Sequence, residues 1–401
     1  MTTTINNKHK KLNVPNLRFK EFQGEWEKCK LSEICTFFSG GTPSSSNKDF
    51  YGGNIAFIRS GELHADSTEL FITQAGFDSS SAKMVEVGDL LLAMYGATSG
   101  DIAVSKIKGA INQAILCIRT KQNKKFIESV WNKHVSKNLR KYLQGGQGNL
   151  SADIVKGISF FFPTLKEQEK IANLVYLLDE RIATQNKIID KLQSLIKGLN
   201  DFLYTQYGSE VLTSFAELGT SYSGLSGKSA QDFGSGKPFI TYLNVYSNNI
   251  INENDFQYVA IKDGEKQNIV EYGDVLFTLS SETPNEVGIG SVFLGKEKVY
   301  LNSFCFGIHI TNTEVAFPPY LSYYVSLTAF RKFIYPYAQG STRFNLCKAD
   351  FEKASIKLPT LADQKRIYSV LGHIDCKIET ERQMLNLYNS QKQYLLRQMF
   401  I

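Results

Sequence analysis

Two long stretches of the chain repeat apolar residues at the seven-residue spacing of paired helices. The first runs from about Leu165 to Tyr207 and the second from about Ala362 to Phe400. Apolar residues fill eight of ten heptad slots in the first stretch and six of ten in the second. The slots of the first stretch are Ile171, Leu174, Leu178, Arg181, Gln185, Ile188, Leu192, Leu195, Leu199 and Phe202. The pattern predicts two helices of about 40 residues, each roughly 60 Å long, packed in a coiled coil.

Polar residues interrupt both heptad patterns at matching places. Arg181 and Gln185 fill the interrupted slots in the first stretch, and Lys377 and Glu381 fill them in the second. Ile182 and Ile378 supply an apolar residue one position further along. We therefore expect the buried face of each helix to shift sideways at this point.

The chain also repeats itself on a larger scale. The matched segments are Leu31–Ile34 with Phe215–Leu218, Gly88–Leu91 with Gly273–Leu276, Asn149–Leu150 with Asn345–Leu346, and Pro163–Leu165 with Pro359–Leu361. The offset between matched residues grows slowly along the chain from 184 to 196. A drifting offset over many positions indicates a duplicated unit, and its period is far too long for a solenoid.

The regions between the helical stretches contain short apolar runs broken by Gly, Ser and Asn. Such runs, with short helices between them, predict a mixed α/β domain built twice. The predicted class is α+β, with two mixed α/β domains separated by two long helices that form an antiparallel coiled coil with an internal pseudo-twofold repeat. The predicted divisions are a polar N-terminal tail (1–24), a first domain (25–164), a first helix (165–209), a second domain (210–358) and a second helix (359–401).

Composition narrows the class of protein. The chain has no run of 18 apolar residues, so we expect no membrane span, and we expect residues 1–11 to form a short disordered tail and not a secretory signal. Six scattered cysteines without a CxxC pair are typical of a reduced, cytoplasmic protein and argue against a zinc site. The formal charge of +6 fits a nucleic-acid-binding protein and equally fits a solvated basic surface.

Motifs for catalysis are incomplete. The segment Gly227–Ser229 resembles the end of a phosphate-binding loop, but Tyr222 stands where that motif needs its first glycine. Phe317–Tyr320 resembles the Asn-Pro-Pro-Tyr of adenine methyltransferases, but Phe317 cannot hold an amino group as asparagine does. We therefore expect a non-catalytic chain without a metal site.

Polar loops at matching points of the two domains are the candidates for binding DNA, because their side chains can contact base edges and phosphates. In the first domain the candidates are Gly41, Thr42, Ser44, Arg59, Ser60, Tyr95, Thr98, Asn112, Gln113, Gln147 and Asn149. In the second they are Ser226, Lys228, Tyr242, Asn244, Ser281, Asn302, Thr342, Arg343 and Asn345. Ordinary turn chemistry also favours these residue types. Arg343 and Arg59 are the strongest candidates for direct contact with bases.

The same segments carry a resemblance to a known family. Ser39–Pro43, Ile55–Gly61, Gly88–Leu91 and Tyr95–Gly100 resemble the target recognition domain of type I restriction-modification specificity subunits. Phe162–Gln168 and Leu358–Gln364 resemble the segments that lead into the family's two conserved helices. The second copy departs from the pattern in having Asp363 before Gln364, and Leu279–Glu282 in place of Tyr-Gly-Ala-Thr.

The resemblance implies a role for each part. Each domain would read one half of a split, asymmetric target in double-stranded DNA, and the helices would set the spacer and dock two modification (methyltransferase) subunits. Those subunits would bind S-adenosylmethionine, and restriction subunits would use ATP and Mg²⁺ to translocate and cleave DNA. None of these cofactors would bind this chain, which would act in the bacterial cytoplasm.

Two alternatives remain open at the level of sequence. The chain could be the recognition portion of a different restriction-modification enzyme, or a solitary modulator that exchanges recognition domains. It could instead be a coiled-coil scaffold whose β-rich domains bind protein or sugar. Salt-dependent binding to DNA separates this last alternative from the others, because phosphate contacts weaken as salt rises.

Overall fold

The computed structural model describes residues 12–142, 149–208 and 210–401. The chain divides into two compact units. The first unit contains the described residues up to Asn186 together with Met384–Ile401, and the second contains Lys187–Gln383. Each unit is described by itself below.

The first unit is built on two four-stranded sheets. Its strands are β1 (Glu27–Lys30), β2 (Cys35–Ser39), β3 (Tyr51–Ile58), β4 (Phe71–Ile72), β5 (Lys83–Val85), β6 (Leu90–Ala93), β7 (Ile102–Val104), β8 (Gly109–Ile111), β9 (Ile115–Thr120) and β10 (Ser159–Phe162). Its helices are α1 (Leu31–Ile34), α2 (Gln74–Asp78), α3 (Lys124–Tyr142), α4 (Ala152–Gly157) and the start of α5 (Leu165–Tyr207). The sheet orders are β2-β9-β6-β7 and β4-β3-β8-β5, and β1 pairs separately with β10.

The second unit repeats this plan. Its strands are β11 (Val211–Thr213), β12 (Gly219–Ser223), β13 (Phe233–Ile240), β14 (Gln257–Val259), β15 (Val275–Thr278), β16 (Ser280–Ser281), β17 (Gly290–Val292), β18 (Tyr300–Leu301), β19 (Cys305–Ile310), β20 (Ala338–Gln339), β21 (Phe344–Leu346) and β22 (Ile356–Leu358). Its further helices are α6 (Phe215–Leu218), α7 (Tyr242–Ser247), α8 (Pro318–Tyr324), α9 (Thr328–Ile334), α10 (Lys348–Lys353) and most of α11 (Leu361–Met399). The sheets are β12-β19-β15-β17, β14-β13-β18 and β16-β21-β20, with β11 paired to β22.

The duplication predicted from the sequence is confirmed by this topology. The sheet β2-β9-β6-β7 corresponds strand by strand to β12-β19-β15-β17, and the parallel pair β3–β8 corresponds to β13–β18. The matched segments Leu31–Ile34 and Phe215–Leu218 both form one short helix. The sheet of β16, β21 and β20 is the main addition in the second unit.

Strand β6 is apolar at every position, and β15 is apolar at all positions before Thr278, because both faces of each strand are covered. In β6, Leu90 and Leu92 belong to one hydrophobic core, and Leu91 belongs to another on the opposite face. In β15, Val275 and Leu276 are divided between two cores in the same way. The unbroken apolar runs in the sequence therefore mark strands that lie between two cores.

The two predicted long helices are present as α5 and α11 and pack together in antiparallel directions. In the first unit, Ile171 near the start of α5 shares a core with Leu396 and Met399 at the end of α11. In the second unit, Ile196 late in α5 packs against the core that holds Ile367 from the start of α11. The bounds of α5 match those of its heptad stretch, and α11 begins and ends one residue earlier than its stretch. Compared with the predicted divisions 165–209 and 359–401, α5 ends two residues earlier and α11 is two residues shorter at each end.

The shift of the buried face predicted at the polar interruption is not present in α5. The less exposed positions follow one unbroken alternation of four- and three-residue steps, namely Ile171, Val175, Leu178, Ile182, Gln185, Ile189, Leu192, Ile196, Leu199 and Leu203. Every second predicted slot was therefore one residue too early along the whole helix, and Ile188, Leu195 and Phe202 are exposed by 38%, 52% and 58%. The helix keeps a regular seven-residue repeat, in which Gln185 occupies a buried position.

A buried glutamine ties the start of α5 to the chain that precedes α3. Gln168 is 1% exposed, and its Nε2 donates to the Pro163 carbonyl at 2.9 Å and to Gln122 Oε1 at 2.8 Å. Its Oε1 accepts from the Asn123 N–H at 3.1 Å. The side-chain amide thus joins the turn before α5 to the segment that leads into α3.

Gln364 repeats this arrangement in the second unit. It is fully buried, and its Nε2 donates to the carbonyls of Pro359 at 2.9 Å and Val315 at 2.8 Å. Its Oε1 accepts from the Phe317 N–H at 2.8 Å. The repeated Pro-Thr-Leu and Gln of the sequence therefore mark one anchor that is used twice.

Residues 12–24, which the sequence placed in the polar tail, contact both long helices of the first unit. Leu17 N–H donates to the Gln398 carbonyl, and Arg18 forms two 2.8 Å bonds to the Glu167 carboxylate. The segment 1–11 that we expected to be disordered lies outside the described residues. Within the described residues, no helix is both long and apolar enough to cross a membrane.

We predict that Gln364→Ala lowers the free energy of unfolding by about 2–3 kcal/mol. The change leaves a buried N–H and buried carbonyl oxygens without partners, and each such group costs about 1–3 kcal/mol. Chemical denaturation measures the effect as a change in the free energy of unfolding of the second unit. Gln391→Ala, at an exposed position of α11, is the control and should change stability by less than about 0.5 kcal/mol. Equal effects of the two variants would contradict the anchoring role.

Candidate nucleic-acid interface

The loops that carry most of the first unit's candidate residues meet at one edge of its sheets. Strands β3 and β8 are parallel, with Ile58 opposite Ile111, so Arg59 and Asn112 follow neighbouring strand ends. In the other sheet Ala93 at the end of β6 lies opposite Ile115 at the start of β9. The connections after β2, β3, β6 and β8 therefore emerge together.

Backbone hydrogen bonds hold these loops in contact. Met94 N–H donates to the Ala114 carbonyl at 2.8 Å, and Leu150 N–H donates to the Met94 carbonyl at 2.8 Å. Thr42 Oγ1 donates to Gln113 Oε1 at 2.5 Å. Five candidates are thereby gathered at this edge, namely Thr42, Tyr95, Asn112, Gln113 and Asn149. Gln147 lies outside the described residues.

A glycine at the same place in each unit permits a close approach of two loops. A Cβ atom at Gly40 would lie 1.7 Å from the Ile111 carbonyl oxygen, and one at Gly224 would lie 2.1 Å from that of Asn302. Any larger residue would push the loop away from the end of the parallel strand pair. Gly41 is also buried, and a Cβ atom there would lie 2.0 Å from Ser81 Oγ. Its position therefore indicates a structural role.

Arg59 is paired with a carboxylate of its own loop. Its Nη2 lies 2.9 Å from Glu62 Oε1, and its Nε donates to Glu62 Oε2 at 3.3 Å. Burial acts to raise the pKa of Glu62, but the guanidinium and hydrogen bonds from Arg59 outweigh it and lower that pKa. The Arg59 side chain is 52% exposed, and its charge is largely balanced within the protein.

The remaining first-unit candidates differ in accessibility. Tyr95 is 40% exposed, whereas Thr98 and Ser60 are half-buried. Ser44 is exposed, with its Oγ 2.7 Å from that of Ser46. The chemistry that this surface offers to a ligand therefore comes mainly from hydroxyl and amide groups and from Tyr95.

The second unit gathers its loops by the same backbone bonds. Ile240 at the end of β13 lies opposite Leu301 at the end of β18, in parallel register. Leu279 N–H donates to the Phe304 carbonyl at 2.9 Å, and Leu346 N–H donates to the Leu279 carbonyl at 2.8 Å. These bonds match those of Met94 and Leu150, so the repeated Asn-Leu pairs of the sequence close the same edge in both units.

Arg343 lies at this edge of the second unit in a fixed position. Its Nε donates to Ser280 Oγ at 2.9 Å, and its Cζ lies 5.9 Å from the centre of the Phe304 ring. Tyr242 OH donates to the Ser280 carbonyl at 2.7 Å. Among the described residues, no carboxylate forms an ion pair with Arg343, in contrast to Arg59.

The two halves of the chain match one family of protein domains. The model of the type I restriction modification DNA specificity domain matches residues 23–194 and 222–387. The chain belongs to this family. The two matches cover most of the sequence and fall on the two copies of the repeat, so each half is one specificity domain.

Named relatives and a solved structure agree with this assignment. The chain is 25% identical to the putative type I restriction enzyme MjaX specificity subunit of Methanocaldococcus jannaschii, over 93% of this chain and 92% of that protein. It is 28% identical to the EcoR124I/EcoR124II specificity subunit of Escherichia coli, over 54% and 55% of the two. The fold is similar to that of the S subunit of a type I system from M. genitalium, with a TM-score of 0.57, 14% identity and coverage of 97% and 99%.

Some candidates of the second specificity domain face solvent. Thr342, Arg343 and Asn345 are exposed. Asn302 Oδ1 accepts from the Phe304 N–H at 2.9 Å, as Asn112 Oδ1 accepts from the Ala114 N–H at 3.1 Å. Ser281 is 8% exposed, and its Oγ donates to Glu286 at 3.0 Å. The two asparagines thus shape equivalent turns, and Thr342, Arg343 and Asn345 are accessible to a ligand.

Asn244 is held inside the second specificity domain. It is 3% exposed, and its Nδ2 donates to the Asn252 carbonyl at 2.9 Å. Its Oδ1 accepts from the Asn252 N–H at 3.0 Å and from Asn248 Nδ2 at 3.1 Å. Since both ends of the amide are used in fixing this loop, we leave Asn244 out of the proposed contact surface.

Lys228 and Ser226 belong to a separate depression of the same domain. The Lys228 side chain is 6% exposed, and its Nζ donates to the Ala260 carbonyl at 2.6 Å and to Glu265 Oε2 at 2.7 Å. The backbone N–H of Ser226 donates to Gln267 Oε1 at 3.1 Å. The structure does not bring these two residues into the depression that contains Arg343.

Sequence reasoning missed a buried carboxylate at the far end of each central strand. Asp89 pairs with Arg119, which lies over the Phe38 ring, and Asp274 accepts from Tyr222 OH at 2.6 Å and lies 2.8 Å from His309 Nδ1. Burial acts to raise the pKa of both carboxyls; Arg119 reverses this for Asp89, whereas burial prevails for Asp274. The repeated Gly-Asp pair was the available signal, because it stands before β6 and β15 alike.

A missed contact also joins two loops of the first specificity domain. His64 Nε2 lies 2.9 Å from Asp101 Oδ1, which connects the loop of Arg59 to the loop of Tyr95. No spacing in the sequence relates these two residues. The pair stiffens the edge at which the candidate side chains lie.

We predict that Lys228→Met destabilises the fold and leaves the salt dependence of DNA binding unchanged. Hydrogen bonding from Lys228 holds the pKa of the Glu265 carboxyl at about 2, below its value of about 4.3 in an unfolded chain. The pair therefore stabilises the fold above that unfolded value, and its contribution is lost as pH falls towards the folded value. The stability difference between wild type and variant should be largest near pH 7 and shrink below about pH 4.3.

Denaturation midpoints measured between pH 7 and pH 3 test this expectation. Lys266→Met, at an exposed lysine of the same loop, is the matched control and should have little effect on stability at any pH. A pH-independent difference for Lys228→Met, or a smaller salt slope for DNA binding, would count against the structural role.

Proposed function

We propose that this chain is the DNA sequence-recognition subunit of a type I restriction-modification complex, in which each specificity domain reads one half of a bipartite, asymmetric DNA target. The observation that carries the proposal is the duplicated edge, where the same backbone bonds present different side chains in the two domains. Two different reading surfaces on one chain favour two different half-sites.

The exposed groups of the two edges suit the reading of DNA. Hydroxyl and amide side chains can contact phosphates and base edges, and an arginine can form paired bonds to guanine O6 and N7. Arg343 fits the second role, because its Nε bonds to Ser280 and no described carboxylate forms an ion pair with it. Arg59 would have to exchange its bonds to Glu62 for bonds to DNA.

We propose further that the long helices set the distance between the half-sites and dock two methyltransferase subunits. Each helix is uninterrupted, with 43 residues in α5 and 39 in α11, and each contributes to both units. A helix of this size is roughly 60 Å long, more than the ~34–36 Å of one DNA turn. Helices of this length would hold the two half-sites at one fixed distance.

Chemistry is assigned to the partner subunits in this proposal. The methyltransferase subunits would bind S-adenosylmethionine and methylate adenine, and restriction subunits would use ATP and Mg²⁺. This chain would contribute binding energy and register and would bind none of these cofactors. Its place of action would be the bacterial cytoplasm.

Mapping of N6-methyladenine in a host that carries this chain with its methyltransferase subunit tests the function. We expect methylation at one motif made of two short blocks separated by a constant number of unspecified bases. A host with the methyltransferase subunit alone is the control and should lack that motif. Methylation within one uninterrupted block, or no sequence-specific methylation, would contradict the proposal.

We predict that Arg343→Ala relaxes one position of one half-site in the methylated motif. A lost paired contact to guanine costs about 1–3 kcal/mol of discrimination against the wrong base. Arg366→Ala removes an arginine of α11 that is 71% exposed and should leave the motif unchanged. Arg343→Lys should behave like Arg343→Ala at that position, because lysine lacks the fork that bonds two acceptors. An unchanged motif in both Arg343 variants would remove Arg343 from the reading surface.

A further inference from the structure

Two exposed apolar side chains lie in the depression that contains Arg343. Leu243 is 69% exposed and Phe304 is 55% exposed. Both line a depression of about 330 Å³ together with two tyrosines, Arg343, and the polar side chains of Ser280, Ser281, Glu282 and Glu286. A single exposed apolar residue is ordinary on a protein surface, but two that converge beside an arginine form a small apolar notch with a polar rim.

Hydrogen bonds fix the main chain on the Leu243 side of the notch. Leu243 lies in the first turn of α7, where Thr241 Oγ1 accepts from the Asn244 N–H at 3.1 Å. The buried amide of Asn244 fixes the loop that follows α7. On the other side, the centre of the Phe304 ring lies 5.9 Å from Arg343 Cζ. The main chain that carries Leu243 is therefore held by contacts within the domain.

The first specificity domain lacks this notch. The parallel strand pairs match Ile58 with Ile240, and Ile111 with Leu301. Three residues beyond these positions, the first domain has Gly61 and Ala114 where the second has Leu243 and Phe304. At Ala114 and Phe304 the carbonyls accept equivalent backbone bonds, so the difference there lies in the side chain, whereas Gly61 lies in a short 3-10 turn and Leu243 lies in α7.

An apolar notch on a surface that faces a DNA groove selects one chemical group. Each base pair offers hydrogen-bonding atoms in the major groove, and thymine alone adds a C5-methyl group. We propose that Leu243 and Phe304 contact the C5-methyl of a thymine in the half-site read by the second specificity domain, beside the base contacted by Arg343. This inference rests on the proposed function and adds the chemical group that one position of the target must carry.

Deoxyuridine substitution tests the contact directly, because deoxyuridine pairs as thymidine does but lacks the methyl group. The probe is a duplex carrying the mapped motif, with each thymine of both half-sites replaced in turn. The protein is the full chain in complex with its methyltransferase subunits, and affinity is measured at one fixed salt concentration. We expect one substitution to weaken binding about fourfold, as the loss of one buried methyl implies.

The same substitution should have no effect when the notch is removed. In Leu243→Ala and Phe304→Ala, the thymine and deoxyuridine duplexes should bind within about twofold of each other at that position. Leu212→Ala is the matched control, since Leu212 is 68% exposed in the second unit outside the notch and should keep the fourfold preference. Thermal unfolding of each variant verifies that the exposed truncations leave the fold intact.

Three outcomes would overturn the inference while leaving the proposed function in place. The first is a bipartite motif in which no replacement of thymine by deoxyuridine weakens binding. The second is a replacement that weakens binding equally in the wild type and in both notch variants. The third is an equal loss of affinity for every sequence in Phe304→Ala, which would indicate a wedge between bases. Failure of the proposed function would look different, because no sequence-specific methylation would be found.

Discussion

The antiparallel packing of α5 against α11 is the constraint on which both units depend. The core of the first unit includes Ile171 from the start of α5 and Met399 from the end of α11. The core of the second includes Ile367 from the start of α11 and is covered by Ile196 from α5. Neither core is complete with one helix alone. The burial of apolar residues that folds each unit therefore also joins the two helices within that unit.

A shared backbone with separate side chains explains how the two domains can read different sequences. Buried Gln168 and Gln364 fix the start of each long helix, and the backbone bonds of Met94 and Leu279 fix each reading edge. These bonds involve main-chain atoms or buried amides, so exposed positions at the edge can change without loss of the scaffold. The pair Ala114 and Phe304 differs in this way, because both carbonyls accept the equivalent backbone bond.

The heptad pattern and the internal repeat were sufficient to predict the fold, because both arise from periodic burial that leaves a regular trace in the sequence. The reading surface was harder to predict. Asn244 and Lys228 have the residue types of DNA contacts, but Asn252 and Glu265 occupy their polar atoms. These partners lie in irregular loops, whose conformation leaves no periodic pattern in the sequence.

The two arginines that the sequence ranked together differ in the contacts they would lose on binding DNA. A guanidinium contributes to DNA binding only if its contacts with DNA are more favourable than the contacts within the protein that it loses. Arg59 would give up a carboxylate, and Glu62 would then face the negative charge of DNA without its partner. Arg343 gives up no ion pair with a described carboxylate, and its guanidinium carbon lies 5.9 Å from the centre of the Phe304 ring. The structure therefore favours Arg343 as a base contact and favours Arg59 as a residue that shapes its loop.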